Sequence, residues 1–229
     1  MESAAILSDR GSAVRDGRER YGLLLSALII AFAVQGIATP AKWEQVAVSA
    51  LLACTLLLAL WAAEARPRVM WSAVVVAVAV VVASVVEALA GNVDGAATRL
   101  ANLLLVTLAP PAIVVGVVRS LRARNRVTVE AVLGVLCVYL LLGMFFAFVY
   151  GTIDRLDHGF FANGAAATVS RCLYFSFTTL TTVGYGDLTA ASNLGHTLSV
   201  TEALIGQVYL VTIVALIVGN LGRTRRPAH

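Results

Sequence analysis

Six apolar runs, each close to the ~20 residues that cross a hydrocarbon layer as a helix, leave this chain few ways to fold. They lie near residues 21–38, 45–63, 69–89, 100–118, 127–150 and 197–220. Inside lipid no water satisfies backbone N–H and C=O groups, so a segment of this kind must satisfy them internally as a helix. Composition agrees: of 229 residues, 59% are hydrophobic and 13% charged, against about 25% charged in soluble domains. The expected fold class is all-α integral membrane, with six transmembrane helices. The chain divides into a head (1–20), a four-helix membrane unit (21–126), a second membrane unit (127–222) and a tail (223–229). No length remains for a sizeable soluble domain, and the nine residues after Asn220 speak against a fused ligand-binding domain.

Lys and Arg set the orientation. With the N-terminus inside, 13 of the 17 fall on the inner side and 4 (Lys42, Arg99, Arg155 and Arg171) outside. This bias places both termini in the cytoplasm of a multi-pass plasma-membrane protein. The net charge of +4 is loop charge of this kind, carried almost wholly by Arg, and implies membrane lipid rather than nucleic acid as the partner. A cleaved signal peptide is disfavoured, because the head is long and partly acidic. Pro110-Pro111 should kink or break the fourth helix, since proline removes a backbone donor and clashes with the preceding turn. Cys54, Cys137 and Cys172 show no CxxC spacing and read as small buried hydrophobes. No Ser/His or Asp/Asp pair faces across the spans, so an enzyme is not expected.

Between the fifth and sixth runs, on the outer side, lies Thr181-Thr182-Val183-Gly184-Tyr185-Gly186-Asp187. Its glycines permit φ of both signs, so successive carbonyls can turn toward one axis. A polar, non-helical run at membrane depth is tolerated only where protein covers it or water fills its lumen. It follows Val169–Leu180, 12 residues and too short to span, with Ser170 as expected N-cap. Such a short helix would point the negative end of its dipole at the bilayer centre. A polar turret, Gly151 to Thr168, precedes it and contains Asp154, Arg155, Asp157 and His158. His158 reads as a solvated loop residue ahead of an external pH sensor.

TTVGYGD resembles the selectivity filter of tetrameric potassium channels, for which the TVGYG loop is the established example. The resemblance covers about residues 127–222 as outer helix, re-entrant pore helix, filter and inner helix, in a six-helix subunit of bacterial type. It implies that carbonyls of Thr182, Val183, Gly184 and Tyr185, in a filter closed by Gly186, replace the hydration shell of K⁺. The Thr182 hydroxyl completes the innermost site. K⁺ ions in the filter are the only cofactor implied, with no organic group. The Val183 and Tyr185 side chains should point away from the axis, with Tyr185 among Tyr174, Phe175 and Phe177. Thr178, Thr181 and Asp187 would support the filter, Asp187 also concentrating cations at the mouth. Some bacterial potassium channels carry an acid at the position of Thr178 that pairs with the filter Asp, and this chain lacks it. One filter copy per chain implies a homotetramer.

Glu202 is an acid inside a spanning segment, which marks a functional site by default. Bracing the filter or pore helix is favoured over proton sensing. Gly206, 19 residues beyond Asp187, is by resemblance a hinge and by size a packing residue, with neither preferred. Leu210, Val214, Ala215 and Val218 share a helical face that suits an inner pore or gate, and Gln207 suits a cavity. The fourth helix has no Arg between Leu100 and Val118; Arg119, Arg122, Arg124 and Arg126 follow it as an inner anchor. Little voltage dependence is expected, and gating is left to the filter, lipid, tension, protons or a separate regulatory partner. The function expected is passive, potassium-selective conduction. A weakly selective cation channel is disfavoured by the intact GYGD. A subunit of a K⁺ transport system is disfavoured because such chains generally carry several degenerate filter copies.

Overall fold

The computed structural model describes residues 2–37, 42–63, 65–90, 96–124, 129–157 and 159–223. All regular elements among them are helices: α1 (Glu2–Ile37), α2 (Lys42–Ala62), α3 (Pro67–Leu89), α4 (Ala96–Arg124), α5 (Val129–Asp157), α6 (Val169–Leu180) and α7 (Asn193–Arg223). Three are long and apolar enough to cross a membrane, at Glu19–Ile37, Pro67–Leu89 and Ala131–Leu156, and shorter apolar helices lie at Val46–Ala62 and Leu100–Val115. The head is helical from Glu2 onward rather than a separate segment. Pro67 opens α3 at its first turn, where its missing N–H is not needed. His158 and the Thr39-Pro40 stop lie outside the described residues.

At Pro110-Pro111, where a kink or break is expected, no break occurs, and two expected boundaries move. Pro110 and Pro111 sit inside an unbroken α4. Their neighbours Leu105, Val106, Ala109 and Ile113 are buried, so packing against α2 and α5 holds the helix across the two missing donors. The same helix runs through Arg119, Arg122 and Arg124, which end α4 instead of following it. The turret starts late, because α5 continues through Gly151 to Asp157. There Thr152 Oγ1 donates to the Phe148 carbonyl (2.7 Å), and Asp154 Oδ1 accepts the Phe160 N–H (2.8 Å), which ties the helix end to the chain leaving it. Arg155 in the last turn also suits the helix dipole.

Packing within the first four helices uses small residues, as membrane-type interfaces do. The buried positions of α3 are Ala73, Ala77, Val80, Ser84 and Ala88, one stripe at helical spacing. Its opposite face shows Trp71, Val75, Val78, Val82 and Val86. α1 packs on α2 and also on α5 and α6, while α4 packs on α5, α2 and α3. A single hydrophobic core therefore runs from Leu24 and Leu28 of α1 to Leu141 and Met144 of α5 and Leu173 of α6. The N-terminal helices and the C-terminal module share that core.

Candidate functional site

The site is built on α6. Its buried residues, Cys172, Leu173, Phe175, Ser176 and Leu180, recur every three or four positions and face inward. Its N-cap is Thr168, whose Oγ1 accepts the Arg171 N–H at 3.3 Å. The expected cap, Ser170, already lies in the first turn and donates instead to the Gly36 carbonyl of α1 at 2.7 Å. Phe175 packs in a ring cluster with Tyr150, Phe160 and Phe161, at centroid distances of 5.2, 5.7 and 5.6 Å. Phe177 turns the other way, edge-on to Phe32 of α1 at 4.7 Å.

Beyond Leu180 the chain leaves the helix but stays tied to it. The Thr182 N–H reaches the Thr179 carbonyl (2.9 Å), and the Gly184 N–H reaches the Thr178 carbonyl (3.0 Å). Thr181 Oγ1 donates to the Phe177 carbonyl at 2.6 Å. Thr182, Gly184 and Gly186 have φ of +58°, +52° and +80°, whereas Val183 and Tyr185 do not enter positive φ. Alternation of hand of this kind lets successive carbonyls turn sideways toward one axis, which the backbone of a regular helix or strand does not allow. Gly supplies two of the three positions without strain. Thr182 is the only described non-glycine residue at positive φ, and backbone strain of this kind gathers at functional sites.

The far end of the run is anchored as well. Tyr185 stacks on Tyr174 with centroids 6.3 Å apart and planes 7° from parallel. Phe175 and Phe177, expected beside it, pack elsewhere for the reasons above. The Tyr174 hydroxyl donates to Asp187 Oδ1 (3.2 Å), and Asn163 Nδ2 donates to the Asp187 carbonyl (3.2 Å). An isolated bridge pairs Phe161 with Ala190, and the Ala191 N–H reaches the Phe160 carbonyl at 2.8 Å, closing the loop on itself.

Residues 134–222 match the model of a protein family described as "Ion channel". No curated protein and no solved structure matches the chain. The match covers α6, the alternating run and nearly all of α5 and α7, so ion-channel activity is supported for the part of the chain that carries this geometry. With the apolar helices it also marks a membrane protein.

Glu202 has no exposed surface, and its two carboxyl oxygens meet the Tyr150 hydroxyl of α5 and Ser176 Oγ of α6. Nothing in the sequence marks Tyr150 and Ser176 as its partners, since they lie 52 and 26 positions away. Gly206 lies against the end of α6. A Cβ there would stand 2.2 Å from the Leu180 carbonyl oxygen, which favours close packing as its role. Gln207, expected to face a cavity, donates through Nε2 to Thr182 Oγ1 at 3.2 Å. Lower down, Tyr209 stacks on Tyr139 at 5.7 Å and donates to the Val135 carbonyl, joining α7 to α5. Leu210 is exposed, while the side chains of Val214 and Val218 lie outside the described residues.

Proposed function

We propose that this chain is the subunit of a potassium-selective channel, with Thr182, Val183, Gly184 and Tyr185 supplying carbonyl ligands and the Thr182 hydroxyl the innermost one. The observation that carries the reading is the alternation of positive φ at Thr182, Gly184 and Gly186 directly after a short helix, within the segment similar to ion channels. Carbonyl dipoles aligned in this way replace the water around K⁺ and solvate Na⁺ less well. Thr178 holds the run through its carbonyl, Thr181 through its hydroxyl and Asp187 through Tyr174, while Glu202 braces α6 from behind.

In this reading the subunit crosses the plasma membrane six times with both termini inside, and α6 enters and leaves from the outer face. Four copies surround the ion path. Self-assembly is supported by a stripe on α7 (Val200, Leu204, Val208 and Val211) that is exposed in the single chain. It is also supported by a groove of about 690 Å³ between Phe32, Tyr174, Val183 and Tyr185. Voltage dependence is weak, because the apolar part of α4 between Leu100 and Val118 carries no Arg or Lys, and a sensor needs several at about 2.3 kcal/mol per 100 mV each.

The test is flux into liposomes carrying the purified chain, K⁺ against Na⁺, with Ba²⁺ block and a Gly184→Ala control. K⁺ flux that Ba²⁺ blocks and the substitution abolishes is the expected result. Equal K⁺ and Na⁺ flux removes selectivity, and flux that survives Gly184→Ala places the ion path elsewhere.

A further inference from the structure

Glu202 is the one fully buried acid among the described residues, and the hydrogen atoms around it can be counted. Its Oε2 lies 2.5 Å from the Tyr150 hydroxyl and its Oε1 2.5 Å from Ser176 Oγ. Ser176 Oγ also lies 2.7 Å from the Gly143 carbonyl oxygen of α5. A serine hydroxyl carries a single proton, and both a carbonyl and an ionised carboxylate only accept. With Glu202 ionised, Ser176 faces two acceptors with one proton, and one close oxygen pair has no hydrogen between its members. Tyr150 cannot supply the missing donor, since its own proton goes to Oε2. A proton on Oε1 completes the set: Glu202 donates to Ser176, Ser176 donates to Gly143, and Tyr150 donates to Glu202.

We infer that Glu202 is held here as a neutral carboxylic acid, the first donor in a chain of hydrogen bonds from α7 through α6 to α5, and that its ionisation is the switch that releases α6. The surroundings favour the neutral form. The titratable groups facing this cluster are Tyr150 and, farther off, Tyr139 on α5, with Cys172 on α6 beside Tyr150. All are ordinarily neutral near pH 7. No charged partner acts on Glu202 among the described residues, and a buried charge without a partner is costly.

The consequence for conduction rests on the channel reading given above. Ser176 precedes Thr178 by two positions on α6, and the Thr178 carbonyl holds the Gly184 N–H. Ionising Glu202 draws the one Ser176 proton to the carboxylate, the stronger acceptor, leaves Ser176 Oγ against the Gly143 carbonyl with no hydrogen between them, and so drives α6 from α5 at the level that supports the filter. Conduction is therefore expected in the protonated state and lost as pH rises.

The test uses the purified full-length protein. Infrared spectra at neutral pH should show the carbonyl stretch of a protonated, buried carboxyl that disappears in Glu202→Gln and bleaches as the wild type is made alkaline. K⁺ flux should fall over the same alkaline range in the wild type. Glu202→Gln should keep its flux with a flat profile, because the amide supplies one donor for Ser176 and one acceptor for Tyr150. A carboxylate signature at neutral pH overturns the proposal, and so does a Glu202→Gln profile that falls like the wild type's. Should Glu202→Gln fail to assemble, the wild-type titration decides: a band that bleaches together with flux supports the switch, and absence of the band overturns it. The infrared reading needs no ion movement, so a protein that shows the band yet carries no K⁺ defeats the channel reading and leaves the protonation intact.

Discussion

Gly206→Ala separates a hinge from a packing contact by the sign of its effect. In a helix whose glycine serves only flexibility, alanine stabilises by about 1 kcal/mol through helix propensity and impairs movement. The geometry here predicts the opposite. The added Cβ would sit 2.2 Å from the Leu180 carbonyl oxygen, 2.9 Å from Leu180 Cδ1 and 3.1 Å from Leu180 C, whereas ordinary contact starts at 3.4 Å. Relief requires α7 and the end of α6 to part by about 1.2 Å, the difference between 3.4 and 2.2 Å. The closest atom belongs to the backbone, so no side-chain rotation provides that relief. Overpacking of this kind costs roughly 1–3 kcal/mol, and backbone contact places it at the upper end. After the propensity gain, a net loss of about 2 kcal/mol per chain remains. Leu180 is the last residue of α6, two residues before the alternating run opens at Thr182, so flux should fall as well. Thermal melting of the detergent-purified protein and K⁺ flux in liposomes are the two readouts. Leu180→Ala added to the variant should not rescue it, because the carbonyl stays. A more stable Gly206→Ala protein with impaired flux refutes the packing argument and restores the hinge; an unchanged protein refutes the close approach itself.

Two other contacts around α6 give narrower predictions. In Gly143→Ala the Cβ meets the Phe177 ring at 2.6 Å; the ring must shift off Phe32, and melting should fall by the equivalent of about 1–2 kcal/mol, while an unchanged midpoint contradicts the contact. Tyr174→Phe keeps the stack on Tyr185 but removes the hydroxyl bond to Asp187, worth about 0.5–1.5 kcal/mol; more K⁺ should be needed to protect the protein from heat, and an unchanged K⁺ requirement shows that this bond does not support the run.

The sequence reveals the helices more fully than it reveals what they touch. α6 occupies Val169–Leu180, the span that reads as too short to cross a membrane, because this amphipathic run repeats its buried residues (Cys172, Leu173, Phe175, Ser176 and Leu180) at helical spacing. α4 shows the limit: local preference at Pro110-Pro111 argues for a break, and burial of Val106, Ala109 and Ile113 overrides it. At the site, the glycines announce the alternating backbone, but Thr182 takes positive φ against its own preference and only its tethers to Thr179 and Gln207 explain that. The Thr168 cap also escapes notice, since Thr168 and Ser170 are both good caps and the choice depends on where α1 lies. Partners such as Tyr150 for Glu202 are long-range facts, fixed by how α5, α6 and α7 meet.

The contact between α1 and α6 bears on what the first four helices do. A bundle joined to the filter region only through a chain linker can move without disturbing it. Here α1 touches α6 directly, through Phe32 against Phe177 and the Gly36 carbonyl against Ser170. Phe177 in turn receives Thr181 Oγ1 on its carbonyl, one residue before the alternating run begins. Displacing α1 therefore shifts the base of that run. Phe32→Ala tests this coupling, since it removes an aromatic pair worth about 0.5–1.5 kcal/mol beyond its buried area without touching the run. Ile29→Ala is the control: Ile29 lies on the same helix and is 52% exposed, so its loss should be silent. Phe32→Ala should lower both melting temperature and K⁺ flux relative to that control. If the two variants behave alike, α1 is only a neighbour of α6, and any signal from the first four helices must travel through the contacts of α1 and α4 with α5 instead.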